Sequence, residues 1–135
     1  MPAKLSNDHQ QAVGRRKEAV ARVRIFEGNN PIMINGKPVG EVFTAMVMQK
    51  KFQKPFELTK TVGKYTATVK VVGGGYASQL DAVIHGISRS LSLVSQDHRE
   101  ILKKNGLLTR DPRVRERRKY GLAHAARAKK QSPKR

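Results

Sequence analysis

The chain has 135 residues, of which 28 are Lys or Arg and 10 are Asp or Glu, so its net charge at neutral pH is +18. A folded chain with this excess repels itself, and the charge favours a polyanionic partner, above all a nucleic acid. The absence of cysteine excludes disulfide scaffolds, cysteine-ligated zinc sites and thiol catalysis. No stretch approaches the roughly 18 apolar residues of a membrane span, and the N-terminal residues lack the apolar segment of a secretory signal.

The positive charge is unevenly distributed along the chain. Residues 110–135 contain 11 basic and 2 acidic residues, net +9, whereas residues 1–109 contain 17 basic and 8 acidic residues, also net +9. The C-terminal segment has few large apolar side chains, so it cannot offset the entropy cost of folding alone. We therefore predict a flexible leader at residues 1–10, a globular RNA-binding body at residues 11–109 and an extended basic tail at residues 110–135.

The first half of the body contains strand patterns. Alternation over Glu18–Phe26 predicts a half-buried strand, with apolar residues on one face and Arg22 and Arg24 on the other. Ile32–Ile34 predicts a short strand, and Asn35-Gly36 is a favoured pair for a hairpin turn.

The middle of the chain predicts a helix followed by strands. Apolar residues at helical spacing indicate a helix over Val39–Phe52 that ends before Pro55. Phe56–Val62 and Tyr65–Val72 are rich in β-branched and aromatic residues, with Gly63-Lys64 between them. This composition predicts either a hairpin or one interrupted strand.

The longest periodic signal begins after three glycines. Apolar residues from Leu80 to Val94 recur at i, i+3, i+4 and i+7, which predicts an amphipathic helix packed across the sheet. Asp97 is the predicted N-cap of a second helix through Asn105, and Gly106 is suited to end it. Asp111-Pro112 then breaks the chain before the tail. The predicted fold class is α+β, a sheet covered by helices.

Several groups of residues are candidates for phosphate binding. Gly14 is followed by three cations, and Arg22 and Arg24 continue on one strand face, which favours a phosphate track over a turn with exposed charge. Free N–H groups around Gly73–Gly75 before a helix suit an anion, although a tight turn explains them slightly better. The predicted ribosomal-RNA contacts are Arg15, Arg16, Lys17, Arg22, Arg24, Gly73, Gly74, Gly75, Arg110, Arg113, Arg115, Arg117, Arg118 and Lys119.

Catalysis has little support in the sequence. Asp81 and His85 lie four residues apart on the long helix and resemble either an acid–base pair or an ordinary surface contact. No nucleophile motif, paired carboxylates or metal-ligand cluster accompanies them. We therefore predict no catalytic residue, no metal, no cofactor and no small-molecule substrate.

The motifs, taken in their order, resemble the bacterial type of the universal small-subunit ribosomal protein number nine family. The similarity begins near Ala12 and continues to the C-terminus. The matching stretches are Gly14–Val23, Ile34–Pro38, Gly73–Gly75, His85–Ile87, Gly106–Arg113, Glu116–Leu122 and Lys134-Arg135.

The resemblance implies a two-layer ribosomal-protein fold with a left-handed βαβ crossover and a long extended basic C-terminal tail. It implies a structural, non-enzymatic protein of the small ribosomal subunit, bound to ribosomal RNA and neighbouring proteins in the subunit head, without a membrane. It also implies that Lys134 and Arg135 approach the anticodon stem-loop of peptidyl-site tRNA. The ribosome would be cytoplasmic, and the residues leave a bacterial and an organellar ribosome both open.

Two other functions share the basic composition. An architectural DNA-binding protein would have the same charge without a preference for small-subunit RNA. An RNA-processing enzyme would need a carboxylate or histidine cluster, or a bound catalytic RNA.

Overall fold

The structure, a computed structural model, describes residues 10–122 and 126–127. Most of the predicted leader and the tail tip, including Lys134 and Arg135, lie outside the described residues. The elements are β1 (Gln10–Arg16), β2 (Ala19–Glu27), β3 (Met33–Ile34), β4 (Lys37–Pro38), α1 (Val39–Val42), α2 (Met46–Leu58), β5 (Tyr65–Val72), α3 (Tyr76–Val94) and α4 (Gln96–Lys104).

The strands form one mixed sheet in the order β1-β2-β5-β3-β4. β2 is antiparallel to both β1 and β5, whereas β3 is parallel to β5. Asn35 and Gly36 have φ values of 52° and 81°, as the predicted hairpin turn between β3 and β4 requires. The α+β class is confirmed. The connection from β3 to β5 passes through α1 and α2, and its left-handed sense stays a prediction.

Helix α3 covers one face of the sheet, where Val23, Val69 and Ile87 belong to the buried core. The helix crosses β1 at two glycines. A Cβ atom on Gly14 would overlap the carbonyl oxygen of Ala82 and the backbone nitrogen of Gly86, and one on Gly86 would lie 2.6 Å from Val23 Cγ2. Gly14 therefore permits a backbone-to-backbone contact within the fold, the close approach that glycine allows.

The beginning of the body differs from the prediction. Gly14 to Arg16 belong to a separate strand, β1, which pairs with β2 through a turn at Lys17-Glu18. Lys17 has a φ of 52°, a left-handed conformation that a two-residue hairpin turn requires. The sequence hid this strand because it contains Gly14 and Ala12, residue types that are depleted in strands.

The prediction for residues 39–62 was wrong. The single helix over 39–52 is instead α1 and α2, and α2 continues through Pro55 to Leu58, so Phe56–Val62 is not a strand. Phe52 and Phe56 lie four residues apart, are both buried, and have ring centroids 6.2 Å apart. Burying this pair on one helix face offsets the missing N–H of Pro55.

Two later elements match the sequence closely. β5 spans Tyr65–Val72, and α3 ends at Val94 as predicted. The predicted cap of α4 was wrong, because Ser95 is the N-cap and its Oγ accepts a hydrogen bond from the Asp97 N–H at 3.2 Å. Gly106, with a φ of 74°, follows the C-cap as expected.

Candidate nucleic-acid interface

The sheet face opposite α3, which we call the basic face, carries exposed cations from three strands. Arg22 and Arg24 on β2 alternate with buried Ala21, Val23 and Ile25, so their side chains point away from the core. Arg15 on β1 and Lys70 on β5 are also exposed. Within β1, β2 and β5 no acidic residue alternates onto this face.

The register places like charges directly opposite each other. Arg22 pairs with Lys70, and Arg24 pairs with Thr68. Like charges at facing positions destabilise a sheet, whereas an opposite pair would have stabilised it. The basic face therefore weakens the isolated fold and suits an anionic partner.

Lys70 is a binding candidate that the sequence analysis missed. Its signal was present, because Thr68 and Lys70 alternate with Ala67, Val69 and Val71 in the predicted strand. The sequence alone does not show which residue lies opposite Lys70 in the sheet. Only the sheet register brings residue 70 beside residue 22.

The glycine loop, Gly73–Gly75, is a tight strand-to-helix turn. Gly73 and Gly74 have φ values of 78° and 67°, and a Cβ on Gly74 would lie 3.1 Å from the Cβ of Ala19. Gly75 is the N-cap of α3, and because it has no side chain it forms no capping hydrogen bond. The tight-turn interpretation is confirmed, and anion binding by the loop stays a prediction.

The first part of the tail runs beside this loop. Residues 114–118 face the β1–β2 turn and the start of α3 across a cavity of about 440 Å³. The predicted RNA-binding residues around this cavity are Lys17, Gly74, Gly75, Arg115, Arg117 and Arg118. The fold thus brings together cations that are about 100 residues apart in the chain, while Glu18 and Glu116 are the acidic residues beside them.

The tail begins at an ion-pair cluster, which we call the tail root. Arg16 Nη1 lies 3.2 Å from Asp111 Oδ1 and donates to the Arg113 carbonyl oxygen at 2.7 Å. Arg16 Nε lies 3.5 Å from Asp81 Oδ2. Asp111 also accepts from the side chain of Arg113, with Nη2 to Oδ2 at 2.7 Å. The Arg16 side chain is only 11% exposed. Of the predicted RNA-contact residues, Arg16 is therefore largely shielded from a partner.

The carboxyl group of Asp111 is ionised in this cluster. Its pKa is held well below its ordinary value, first by the hydrogen bond from the Arg113 side chain, then by the Arg113 N–H and the charges of Arg113 and Arg16. Asp111 therefore remains a carboxylate throughout the physiological pH range.

His85 is a structural link rather than one half of an acid–base pair with Asp81. Its Nδ1 accepts the Arg15 backbone N–H at 3.3 Å, which leaves the Nε2–H facing the Leu108 carbonyl oxygen at 3.3 Å. Burial lowers the pKa of His85, with Arg89 and Arg110 contributing in the same direction and the Leu108 hydrogen bond opposing it. The imidazole is therefore neutral at neutral pH and connects β1 to the segment before the tail.

Beyond the root the described tail is mostly exposed and has no helix or strand, and it turns back after Tyr120, because Arg127 contacts Glu116. Glu116 Oε1 lies 2.8 Å from Lys119 Nζ, and Glu116 Oε2 lies 2.9 Å from Arg127 Nε. These two hydrogen bonds lower the pKa of Glu116. Tyr120 is fully exposed, and Arg110, Arg115, Arg117 and Arg118 are exposed as well. The described part of the tail therefore keeps most of its cations in solvent.

Metal-binding clusters and membrane spans are both absent from the described part of the chain. Among residues 10–122 and 126–127, no three His, Cys, Asp or Glu side chains are grouped so that they could hold a metal ion. In the same residues, no helix has the length and apolar character needed to cross a bilayer.

The sequence matches a known protein family. The sequence profile of the family described as ribosomal protein S9/S16 matches residues 14–135. The chain belongs to this family. It is 50% identical over 131 residues to small ribosomal subunit protein uS9 of Maridesulfovibrio salexigens, a match that covers 97% of this chain and all of that protein.

Other members of the ribosomal protein S9/S16 family are similarly related. The protein of the same name from Lawsonia intracellularis is 47% identical over 131 residues, covering 97% of this chain and all of the relative. The one from Dehalococcoides mccartyi strain 195 is 48% identical over 122 residues, covering 90% of this chain and 92% of the relative. By name, all three relatives are proteins of the small ribosomal subunit.

Three of the stretches that carry the family resemblance meet at one place in this member of the family. The Gly14 stretch, the His85 stretch and the Gly106 stretch are joined by the hydrogen bonds of His85 and by the crossing at Gly86. Arg16 and Asp111 extend the same contact to the tail root. These stretches therefore have a role within the fold, beside any contact that they make with RNA.

Proposed function

We propose that the protein is a structural constituent of the small ribosomal subunit, which binds ribosomal RNA in the subunit head and catalyses no reaction. The observation that carries the proposal is the basic face, where Arg22 and Lys70 lie opposite each other and no carboxylate alternates between them on β2 or β5. The family membership supports the same function.

The basic face suits the phosphate backbone of RNA rather than a set of base edges. Residues two apart on a strand are about 6.6 Å apart and neighbouring strands about 4.8 Å apart, so Arg22, Arg24 and Lys70 form a compact group of cations. Arg can fork two donors onto one phosphate. Contacts of this kind position a protein on RNA without reading its sequence.

The first part of the tail adds further cations beside the body. Lys17, Arg115, Arg117 and Arg118 surround the cavity beside the glycine loop, and Arg110, Arg113 and Lys119 precede or follow them. We propose that this group binds RNA together with the basic face. The predicted contact of Arg16 depends on the tail root, because most of its side chain is covered.

The tip of the tail is proposed to approach the anticodon stem-loop of peptidyl-site tRNA through Lys134 and Arg135. Support for this step is the family resemblance and the length of the tail, since 18 extended residues span up to roughly 60 Å. The proposal also includes neighbouring head proteins as partners, a cytoplasmic ribosome as the location, and the left-handed crossover between β3 and β5.

The test of RNA binding compares two triple variants of equal charge. Arg22→Gln/Arg24→Gln/Lys70→Gln removes three cations from the basic face, and Lys50→Gln/Lys54→Gln/Lys103→Gln removes three exposed cations from the helices. Affinity for an RNA comprising the small-subunit head domain is measured against salt concentration. The slope of log affinity against log salt should decrease by about 0.7–0.9 for each phosphate that the variant no longer neutralises.

We expect the full decrease in the basic-face variant and little change in the helix variant. Equal decreases would indicate a nonspecific charge effect and contradict the role of the basic face. A duplex DNA of the same length is the competitor in both titrations, and stronger binding to that DNA would instead favour an architectural DNA-binding protein.

The tRNA step is tested in reconstituted small subunits. Deletion of Lys134 and Arg135 should leave assembly intact and increase the dissociation rate of peptidyl-site tRNA, because the deletion removes two charge-assisted hydrogen-bonding groups. An unchanged dissociation rate in correctly assembled subunits would refute this part and leave the RNA-binding part standing.

A further inference from the structure

We propose that Asp111 is a positioning residue, which joins Arg16 of the body to Arg113 of the tail and fixes the direction in which the tail leaves the body before RNA is bound. This inference deepens the proposed function and rests on it only for the RNA-binding measurement described below. It assigns the tail root a role in orientation.

The geometry connects the two sides of the root through one carboxylate. Asp111 Oδ1 lies 3.2 Å from Arg16 Nη1 and accepts the Arg113 backbone N–H at 2.9 Å, while Oδ2 accepts Arg113 Nη2 at 2.7 Å. Arg16 in turn donates to the Arg113 carbonyl oxygen at 2.7 Å. Both backbone polar groups of Arg113 are therefore bound at the root.

The backbone at this point is also restricted. Pro112 has a fixed φ, and a proline disfavours helical conformations in the residue before it, here Asp111. The bond from the Arg113 N–H to the Asp111 side chain is an Asx-type turn across this proline. The backbone restriction at Pro112 and the ion pairs favour the same conformation, so the chain leaves the body in one direction.

The cluster is balanced in charge without a phosphate. Arg16 and Arg113 face Asp81 and Asp111, two cations with two carboxylates. The Arg16 side chain is 11% exposed, whereas the Arg113 side chain is 80% exposed. Arg16 is thus occupied by the protein itself, and Arg113 retains an exposed surface toward a partner.

Ordering the root in the free protein matters because a disordered tail loses conformational freedom on binding. That loss opposes binding, and a segment already held in its bound direction avoids part of it. Residues after the root then start beside Lys17 and the glycine loop, where the cavity of about 440 Å³ lies. The tail root therefore directs Arg115, Arg117 and Arg118 toward the surface where the proposed RNA contacts lie.

The test uses the cysteine-free sequence to place two spin labels in the full chain, at Val114→Cys in the tail and Gln96→Cys at the exposed start of α4. With Asp111 present, the distance between the labels should give a single narrow peak. In Asp111→Ala that peak should be replaced by a broad distribution, while circular dichroism should show that the body remains folded.

Glu116→Ala is the matched control. It removes one carboxylate from the same segment, but the partners of Glu116, Lys119 and Arg127, lie within the tail. The narrow peak should persist in this variant. Persistence of the peak in Asp111→Ala, or equal broadening in Glu116→Ala, would overturn the proposal.

RNA affinity separates positioning from simple charge. Each alanine variant removes one negative charge, so electrostatics alone predicts a gain in affinity for both. We expect Glu116→Ala to bind the head-domain RNA more tightly than the unmodified protein and Asp111→Ala to show no gain. Equal gains would overturn the functional part of the inference, whereas no RNA binding by the unmodified protein would refute the proposed function and leave the spin-label result valid.

Discussion

The body and the tail root are held by different interactions, and the difference separates what makes this protein fold from what prepares it for a partner. Where α3 crosses β1, the backbones of Gly14 and Gly86 are in contact and the surrounding side chains are apolar and buried. At the root, by contrast, Asp111 makes ion pairs with the largely covered side chain of Arg16 and with the exposed side chain of Arg113.

This contrast predicts how each region responds to change. A change in side-chain volume destabilises a close-packed apolar region, because there is no space into which the neighbouring atoms can move. Exposed ion pairs contribute little to the free energy of unfolding but can fix a geometry. Mutations in the body should therefore change stability, and mutations in the tail root should change the direction of the tail.

The largest effect is expected where the two backbones touch. Gly14→Ala places a methyl group on the Ala82 carbonyl and the Gly86 nitrogen, so we expect it to lower the free energy of unfolding by more than about 3 kcal/mol. Thermal unfolding monitored by circular dichroism measures this. Gly40→Ala is the control, because nothing lies within 4 Å of its new methyl group; a tolerated Gly14→Ala would contradict the crossing.

A smaller loss is expected where α4 joins the body. Leu102 is the only residue of α4 that is fully buried, and its neighbour Ile101 is exposed. Leu102→Ala should cost about 2–3 kcal/mol in denaturant-induced unfolding, whereas Ile101→Ala should cost less than about 1 kcal/mol. Similar costs for the two variants would show that α4 is not anchored through its inner face.

His85 sharpens the comparison because it connects β1 to Leu108, just before the tail root. Its folded-state pKa is lowered from 6.5 by burial, so the folded state binds fewer protons than the unfolded state and stability rises with pH. The contribution of His85 is complete above pH 6.5 and decreases as the pH falls through the lowered pKa. The melting temperature should therefore fall on acidification.

Glutamine does not titrate, so the variant His85→Gln isolates the contribution of His85 to the pH dependence of stability. It should show a smaller difference in melting temperature between pH 7.5 and pH 5.5, conditions on the two sides of the ordinary pKa of about 6.5. His98→Gln serves as the control for a general histidine effect. The same pH dependence in His85→Gln and the unmodified protein would rule out a role for this imidazole.

The smallest effect is expected in the tail. Val114 is 63% exposed, so Val114→Ser should change the free energy of unfolding by no more than about 0.5 kcal/mol. Denaturant midpoints measured beside those of Leu102→Ala provide the comparison. A loss comparable to that of Leu102→Ala would mean that the tail contributes to the core, which would remove the distinction between the two regions.

The sequence determined the parts of this protein that depend on local pattern. Alternation predicted β2, β-branched and aromatic composition predicted β5, helical spacing predicted α3, and Asn35-Gly36 predicted the hairpin turn. The charge distribution and the order of the motifs also indicated the family to which the chain belongs. The signals for strands, helix and turn each lie within a short window, where periodicity, composition or turn chemistry is sufficient.

Tertiary structure decided the features that depend on residues far apart in the chain. A buried aromatic pair carried α2 through Pro55, where local propensity predicted the end of a helix. Register placed Lys70 beside Arg22, and the α3 crossing explained Gly14. Arg16 had the sequence signature of a phosphate ligand, but the chain folds two carboxylates against it, because a charge buried in the fold needs a partner of opposite sign.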